Sequence, residues 1–333
     1  MSKSPKRKGP LVAEKRYGSK TTAAKKKPTR VASKKRKSTR RKPVRRGGIS
    51  GFLSRLFRWI LRLIWTITWR VTAIAVLALA LGVGYFYTTL PPLEALLDGR
   101  ARGSVTLLDH EGDVYAWRGD QFGGVVTANS VSPHLKNAVI ATEDKRFYGH
   151  FGVSPRGIAS AVRINLREGR GPLSGHGGST ITQQVAKLIC LGEPYDASSG
   201  QTEREYEAGC RAGNVKRKAK EALYALAMEV KYSKDDILSI YLNRAYMGGG
   251  AYGAEAAAQR FFAKPATALN VAEGAMIAGL LTAPSSTSPT SNLERAQRRA
   301  AIVVRLMEEQ GYLESAQARQ AQANPATLSL IHI

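Results

Sequence analysis

Apolar residues divide the chain into three zones. Before Leu53 they are sparse among Lys, Arg, Ser, Thr and Pro. Such a segment cannot bury enough surface to fold, so residues 1–58 read as a disordered basic tail. Phe52 to Arg70 is dense in apolar residues but interrupted by Arg55, Arg58, Arg62 and Arg70, with Trp59, Trp65 and Trp69 among them. That is the pattern of a helix end at lipid headgroups, with snorkelling arginines and interfacial tryptophans. Val71 to Leu90 carries no charge, and about 20 residues suffice to cross roughly 30 Å of hydrocarbon. Pro91-Pro92 ends the helix. Residues 59–90 are therefore expected to be one transmembrane anchor. A cleaved signal peptide fits less well, because both the charged leader and the apolar run are too long.

Beyond the anchor the period changes. Ser104 to Leu108 and Val114 to Trp117 read as short strands around a turn at His110–Asp113, making 91–131 a short β-containing connector. Ser132-Pro133 is a good helix start, with Ser as cap and Pro at the first position. Leu135, Ala138, Val139 and Thr142 follow at helical spacing and place Glu143 and Asp144 at the end of a buried-faced helix. Ala219 to Val230 predicts another helix, with Ala222, Leu223, Leu226, Ala227 and Val230 on one face. Ser233 to Asp236 caps the next, which turns Ile237, Ile240 and Tyr241 inward. Val271 to Leu281 is small and apolar, suited to a tightly packed core helix, and Asn292 to Glu309 is basic and amphipathic. Residues 132–312 are thus expected to form one mainly α domain, with 313–333 a linker or the start of a further domain. The glycine-rich stretch Gly169 to Gly178 reads as a mobile flap.

Charge changes the picture once it is located. The chain of 333 residues has formal charge +26, but residues 1–58 hold 22 Lys/Arg and one acid, Glu14, leaving only about +5 elsewhere. The basicity belongs to the tail, which suits anionic membrane lipids; no motif supports nucleic acid as a partner. The positive-inside rule puts the tail in the cytoplasm and everything after Pro92 outside, a single-pass protein of the cytoplasmic membrane. Both cysteines, Cys190 and Cys210, follow the anchor. An oxidising compartment permits a bridge between them, which would contribute on the order of 3 kcal/mol; two unpaired thiols are the alternative. No Cys/His spacing suggests a metal.

Candidate chemistry lies in three polar stretches. Glu143-Asp144 is a carboxylate pair. Gly177 to Lys187 is a polar loop running into a segment that ends in a cation. Arg217 to Glu221 mixes cations with a carboxylate at a helix start. On residue type alone, a Glu-Asp pair at a helix end is usually a solvated face, and Glu221 could simply pair with Lys218 or Lys220.

Five blocks in order change that weighting. They are Ala141 to Gly152 (ATEDKRFYGHFG), Gly178 to Lys187 (GSTITQQVAK), Arg217 to Ala222 (RKAKEA), Lys234 to Asn243 with Tyr246 to Gly248, and Ala272 to Leu280 with Ala283 to Ser285. Over roughly 104–315 the chain resembles the peptidoglycan glycosyltransferase family, the lysozyme-like domain of class A penicillin-binding proteins and monofunctional transglycosylases. Leu188 stands where the family usually has Asn, Leu281-Thr282 replaces Pro-Gln, and Leu188 to Lys216 is longer than in many members.

The resemblance implies a lysozyme-like, mainly α fold and, as substrates, lipid II and the growing glycan strand. It implies inverting transfer that releases undecaprenyl pyrophosphate and forms a β-1,4 bond. Glu143 would be the general base and Glu221 the second carboxylate, ordering the donor site. Lys187, Arg217, Lys218 and Lys220 would bind the diphosphate. Ser179, Thr180, Gln183 and Gln184 would hydrogen-bond sugar or phosphate, and Asp144 would shape the local field. No cofactor is required; a divalent cation at the diphosphate is an option, without a dedicated carboxylate cage. Cell-wall synthesis proteins are further candidate partners. Two alternatives stay open: a glycan-cleaving muramidase or lytic transglycosylase, and an inactive membrane-anchored scaffold. The helix from Asn292 and the segment Glu314 to Asn324 resemble the linker that leads into a transpeptidase, yet no Ser-x-x-Lys motif follows. A truncated bifunctional protein is expected, with a monofunctional enzyme as the alternative.

Overall fold

The computed structural model describes residues 49–97, 105–108, 110–111, 114–118, 121–172, 175, 177–193, 195–211 and 215–329. Expectations for the tail before 49, the connector at 98–104, parts of the glycine-rich flap (173, 174, 176) and the apolar residues 330–333 lie outside the described residues. The chain divides into two units, 1–64 and 65–333, and all packing below is within the second.

Helix α1 runs unbroken over Ile49–Thr89. It takes in the last ten residues of the segment read as tail, because the apolar run from Phe52 continues helically through the arginines. It is the one helix among the described residues long and apolar enough to cross a membrane. A short helix α2, Leu93–Leu97, follows. Strands β1, Val105–Leu108, and β2, Val114–Arg118, pair antiparallel from Val105↔Arg118, in line with two short strands around a turn. β3, Gln121–Phe122, pairs in parallel with β4, Ala251–Tyr252.

The remainder is helical: α3 Pro133–Glu143, α4 Pro155–Arg167, α5 Ile181–Leu188, α6 Glu203–Arg211, α7 Val215–Lys231, α8 Lys234–Arg244, α9 Ala254–Phe262, α10 Val271–Leu280, α11 Leu293–Glu309 and α12 Ser315–Ala323. α10 is the centre: every residue in it after Val271 is buried, including Glu273. α3 and α11 pack directly on it. Gly274 makes that approach possible. A Cβ there would sit 2.9 Å from the backbone N of Leu135, inside the closest distance real Cβ atoms tolerate. The seating of α3, and of Glu143 at its end, thus depends on one missing methyl.

α5 packs on α7 and α8. The buried face of α7 differs from the expected one. Glu221, Tyr224, Ala225, Ala227 and Met228 face inward, whereas Val230 is exposed. The stripe is rotated because a charged residue, Glu221, and a large aromatic, Tyr224, occupy the inner positions. An apolar count alone assigns both outward.

The end of α1 is fastened to this body. Phe86 stacks edge-on against Tyr224 with ring centroids 5.4 Å apart. Lys231 Nζ donates to the Leu90 carbonyl and Tyr232 Oη to that of Pro91. Arg244 Nε donates to Leu96 O (2.6 Å) and its Nη2 to Ala95 O (3.2 Å). These donors satisfy carbonyls that a helix end leaves without internal partners.

Candidate active site

Glu143 is the last residue of α3 and looks into a cleft of about 430 Å³, walled by Lys145, Ser179, Glu309 and Gln310 among others. Its Oε2 accepts a 2.8 Å hydrogen bond from Gln184 Nε2. Desolvation by burial raises its carboxyl above the ordinary value. The Gln184 hydrogen bond and the charges of Arg299 and Lys187 oppose the rise, and Asp144 adds to it. A carboxylate so placed is a stronger base than an exposed one and still has cations near to keep it ionised.

Asp144 lines the same cleft and also reaches α5. Its Oδ2 accepts the backbone N–H of Ile181 (3.2 Å), the first residue of α5, and pairs with His150 Nε2 at 2.9 Å. An anion at a helix start is electrostatically favoured, so Asp144 pins α5 to the end of α3. Thr180 and Gln183 also serve α5. The Thr180 hydroxyl accepts the Gln183 N–H (3.1 Å), and Gln183 Oε1 accepts the Thr180 N–H (3.2 Å), a reciprocal capping box. The same hydroxyl donates to Gly152 O at 2.6 Å, and both side chains are buried. Both side chains thus serve the start of α5, and Thr180 also lines the cleft. Thr182 donates to the buried Glu229 at 2.6 Å, which also holds Lys234 at 2.7 Å. Gln184, one turn before Lys187 on the same face, turns its amide to Glu143.

Glu221 is only 2% exposed. Arg217 Nη1 reaches its Oε2 at 3.0 Å, and Lys218 Nζ bonds its Oε1. These are i,i+4 and i,i+3 pairs on α7, the spacing at which helix side chains meet. Lys218 Nζ also donates to Ser179 Oγ at 2.6 Å, which ties the cation cluster to the loop lining the Glu143 cleft. Lys220 leaves this group: it pairs with Glu193 across a second cleft, beside the Cys190–Cys210 disulfide. That bond closes with Cα atoms 5.2 Å apart. Among the described residues no group of three or more metal-binding side chains occurs.

Two contributors were not singled out by sequence reasoning. Arg299, on α11, acts on the Glu143 charge and donates to Thr282 Oγ1 at 2.8 Å. Gln310, just past α11, donates to Ala141 O at 3.0 Å and walls the cleft. The only sequence signal was the basic amphipathic character of α11, which does not say which cation faces the site.

The fold and site define a helical domain behind an apolar helix, with two carboxylates on separate helices, one buried in a cleft and one gripped by cations. The transglycosylase family model matches residues 112–308, and the chain belongs to that family. It is 36% identical over 264 residues to penicillin-binding protein 1A of Aquifex aeolicus, a match covering 78% of this chain and 34% of that one. The Neisseria flavescens protein of that name is 39% identical over 243 residues (73% and 28%), and that of Escherichia coli 35% over 256 (75% and 28%). The chain thus spans about a third of the length of the curated relatives it matches.

Proposed function

We propose that the chain is a peptidoglycan glycosyltransferase that polymerises lipid II at the outer face of the cytoplasmic membrane, with its basic tail on the cytoplasmic side. The observation that carries this reading is a desolvated Glu143 in a cleft and a cation-paired Glu221 on a separate helix, both within the family's matched segment. Glu143 takes the proton of the acceptor GlcNAc 4-hydroxyl as its oxygen attacks C1 of the donor MurNAc. The C1–oxygen bond to the diphosphate breaks on the opposite face, its electrons leave with undecaprenyl pyrophosphate, and the β-1,4 bond forms with inversion. The diphosphate is a good leaving group and needs positive charge more than a proton. Arg217, Lys218 and Lys187 supply it, with Glu221 holding the first two in place. Ser179 stands between the cations and the cleft. Asp144, Thr180 and Gln183 set the α5 start, and Lys220 with the disulfide shapes the outer edge.

On this reading side-chain cations suffice, and a divalent ion arriving with the diphosphate adds to them. Substantial polymerisation in EDTA is expected; complete loss, restored by a divalent ion, would overturn that. The reading as a whole is tested by giving solubilised protein labelled lipid II. Formation of a lysozyme-sensitive polymer supports it. Shortening of preformed glycan would establish a cleaving enzyme instead, and neither activity would leave a scaffold.

A further inference from the structure

A buried hydrogen-bond chain runs behind Glu143. Tyr241, in the last turn of α8, is 2% exposed. Its hydroxyl donates to Gln184 Oε1 at 3.2 Å, and Gln184 Nε2 donates to Glu143 Oε2 at 2.8 Å. Three helices, α8, α5 and α3, contribute one residue each. An amide can present either end to a carboxylate, and only the N–H end stabilises the charged form. The hydroxyl of Tyr241 holds the amide oxygen and so turns the N–H end toward Glu143. We propose that Tyr241 is a positioning residue for the base, acting through Gln184 to fix the oxygen that takes the acceptor's proton.

Burial, and then the charge of Glu143, hold the Tyr241 hydroxyl well above its usual range, so it remains a donor across working pH. The other charged groups acting on Glu143 are Asp144 beside it, Lys187 on α5 and Arg299 on α11. The inference rests on the reading of Glu143 as base, so both are tested in one series.

Tyr241→Phe keeps the ring and removes only the oxygen. Polymerisation of lipid II is measured against pH for wild type, Tyr241→Phe, Gln184→Leu, the double variant and Glu143→Gln. For Tyr241→Phe the expected result is a kcat lower by about three- to tenfold, the scale of one hydrogen bond near a charge, with KM unchanged. Loss of an oriented donor disfavours the carboxylate, so the acid limb of the profile moves to higher pH by roughly half a unit or more. Adding Tyr241→Phe to Gln184→Leu should cost nothing further, since the tyrosine acts through the amide. An unchanged rate and profile in Tyr241→Phe, or a fall in KM affinity alone, overturns the proposal. So do effects that multiply in the double variant; if Gln184→Leu is too slow to follow, the Tyr241→Phe profile decides. An active Glu143→Gln would instead sink the base assignment itself, which separates the two failures.

Discussion

At the scale of single residues, Glu143 carries a conflict between stability and chemistry. Its carboxyl is raised in the folded protein, chiefly by burial. A group whose folded value is raised holds more protons folded than unfolded. Its ionisation therefore removes stability as pH rises through the folded value, and nothing is lost below the unfolded one. Glu143→Gln should accordingly melt higher than wild type at neutral pH, by roughly 2–4 °C, and the difference should vanish in acid; a lower melting point at neutral pH would contradict the burial argument. Glu221 behaves oppositely. It is 2% exposed while its partners keep some solvent contact. Removing a buried partner of an ion pair costs up to 3–5 kcal/mol, less where the cations reach water. Glu221→Ala should therefore lose about 1–3 kcal/mol in denaturant titration, and Glu221→Gln less, because the amide oxygen still accepts one bond. Both assignments rest on the five blocks, since residue type and spacing alone do not separate a base from a surface acid. Thr180 and Gln183 show the reverse case. Thr-x-x-Gln is the spelling of a capping box, and that box forms at the start of α5.

At the scale of elements, α3, α7, α8, α10 and α11 were legible because their apolar residues recur at helical spacing or their starts carry caps, whereas α4, α5, α6, α9 and α12 were not. Ser132, Ser233 and Asn292 each cap the helix that follows. The inner face of α7 was not legible. Its burial is set by Glu221 and Tyr224, and periodicity counts only apolar residues as inward. Contact between helices was invisible as well, because it depends on distance. Gly274 is the plainest instance: Gly274→Ala places a methyl 2.9 Å from the Leu135 backbone, which cannot move aside cheaply. It should destabilise the domain by about 1–3 kcal/mol and slow transfer by tilting Glu143. An unfolding curve superimposable on wild type would mean α3 and α10 adjust freely. The clamp on α1 gives a second test. Arg244→Ala leaves the Ala95 and Leu96 carbonyls without that donor, so hydrogen exchange across α2 should rise while α10 stays protected. Uniform exchange would show that the clamp holds nothing.

At the scale of the molecule, charge and hydrophobicity are segregated along the chain. Of the +26 charge, +21 precedes residue 59, and the apolar helix follows it. A peptide of residues 1–46 should bind vesicles containing anionic lipid, weaken steeply with salt, and ignore neutral vesicles, because each basic residue contributes on the order of 1 kcal/mol only near a charged surface. Equal binding to neutral vesicles would point away from the membrane. The order of basic segment, apolar helix and mainly helical domain is visible in the composition. The meeting of α3, α4 and α11 at one cleft is not, because it joins residues up to 169 positions apart.

The most direct test concerns the separate work of the two carboxylates. Lipid II polymerisation by wild type, Glu143→Gln and Glu221→Gln is followed beside binding of the lipid-linked donor. Glu143→Gln should bind normally and turn over at least about 100-fold more slowly, the scale of a lost general base. Glu221→Gln should lose donor binding as well as rate. If Glu143→Gln polymerises at the wild-type rate, or if it is binding that fails there, Glu143 is not the base and the assignment of roles falls.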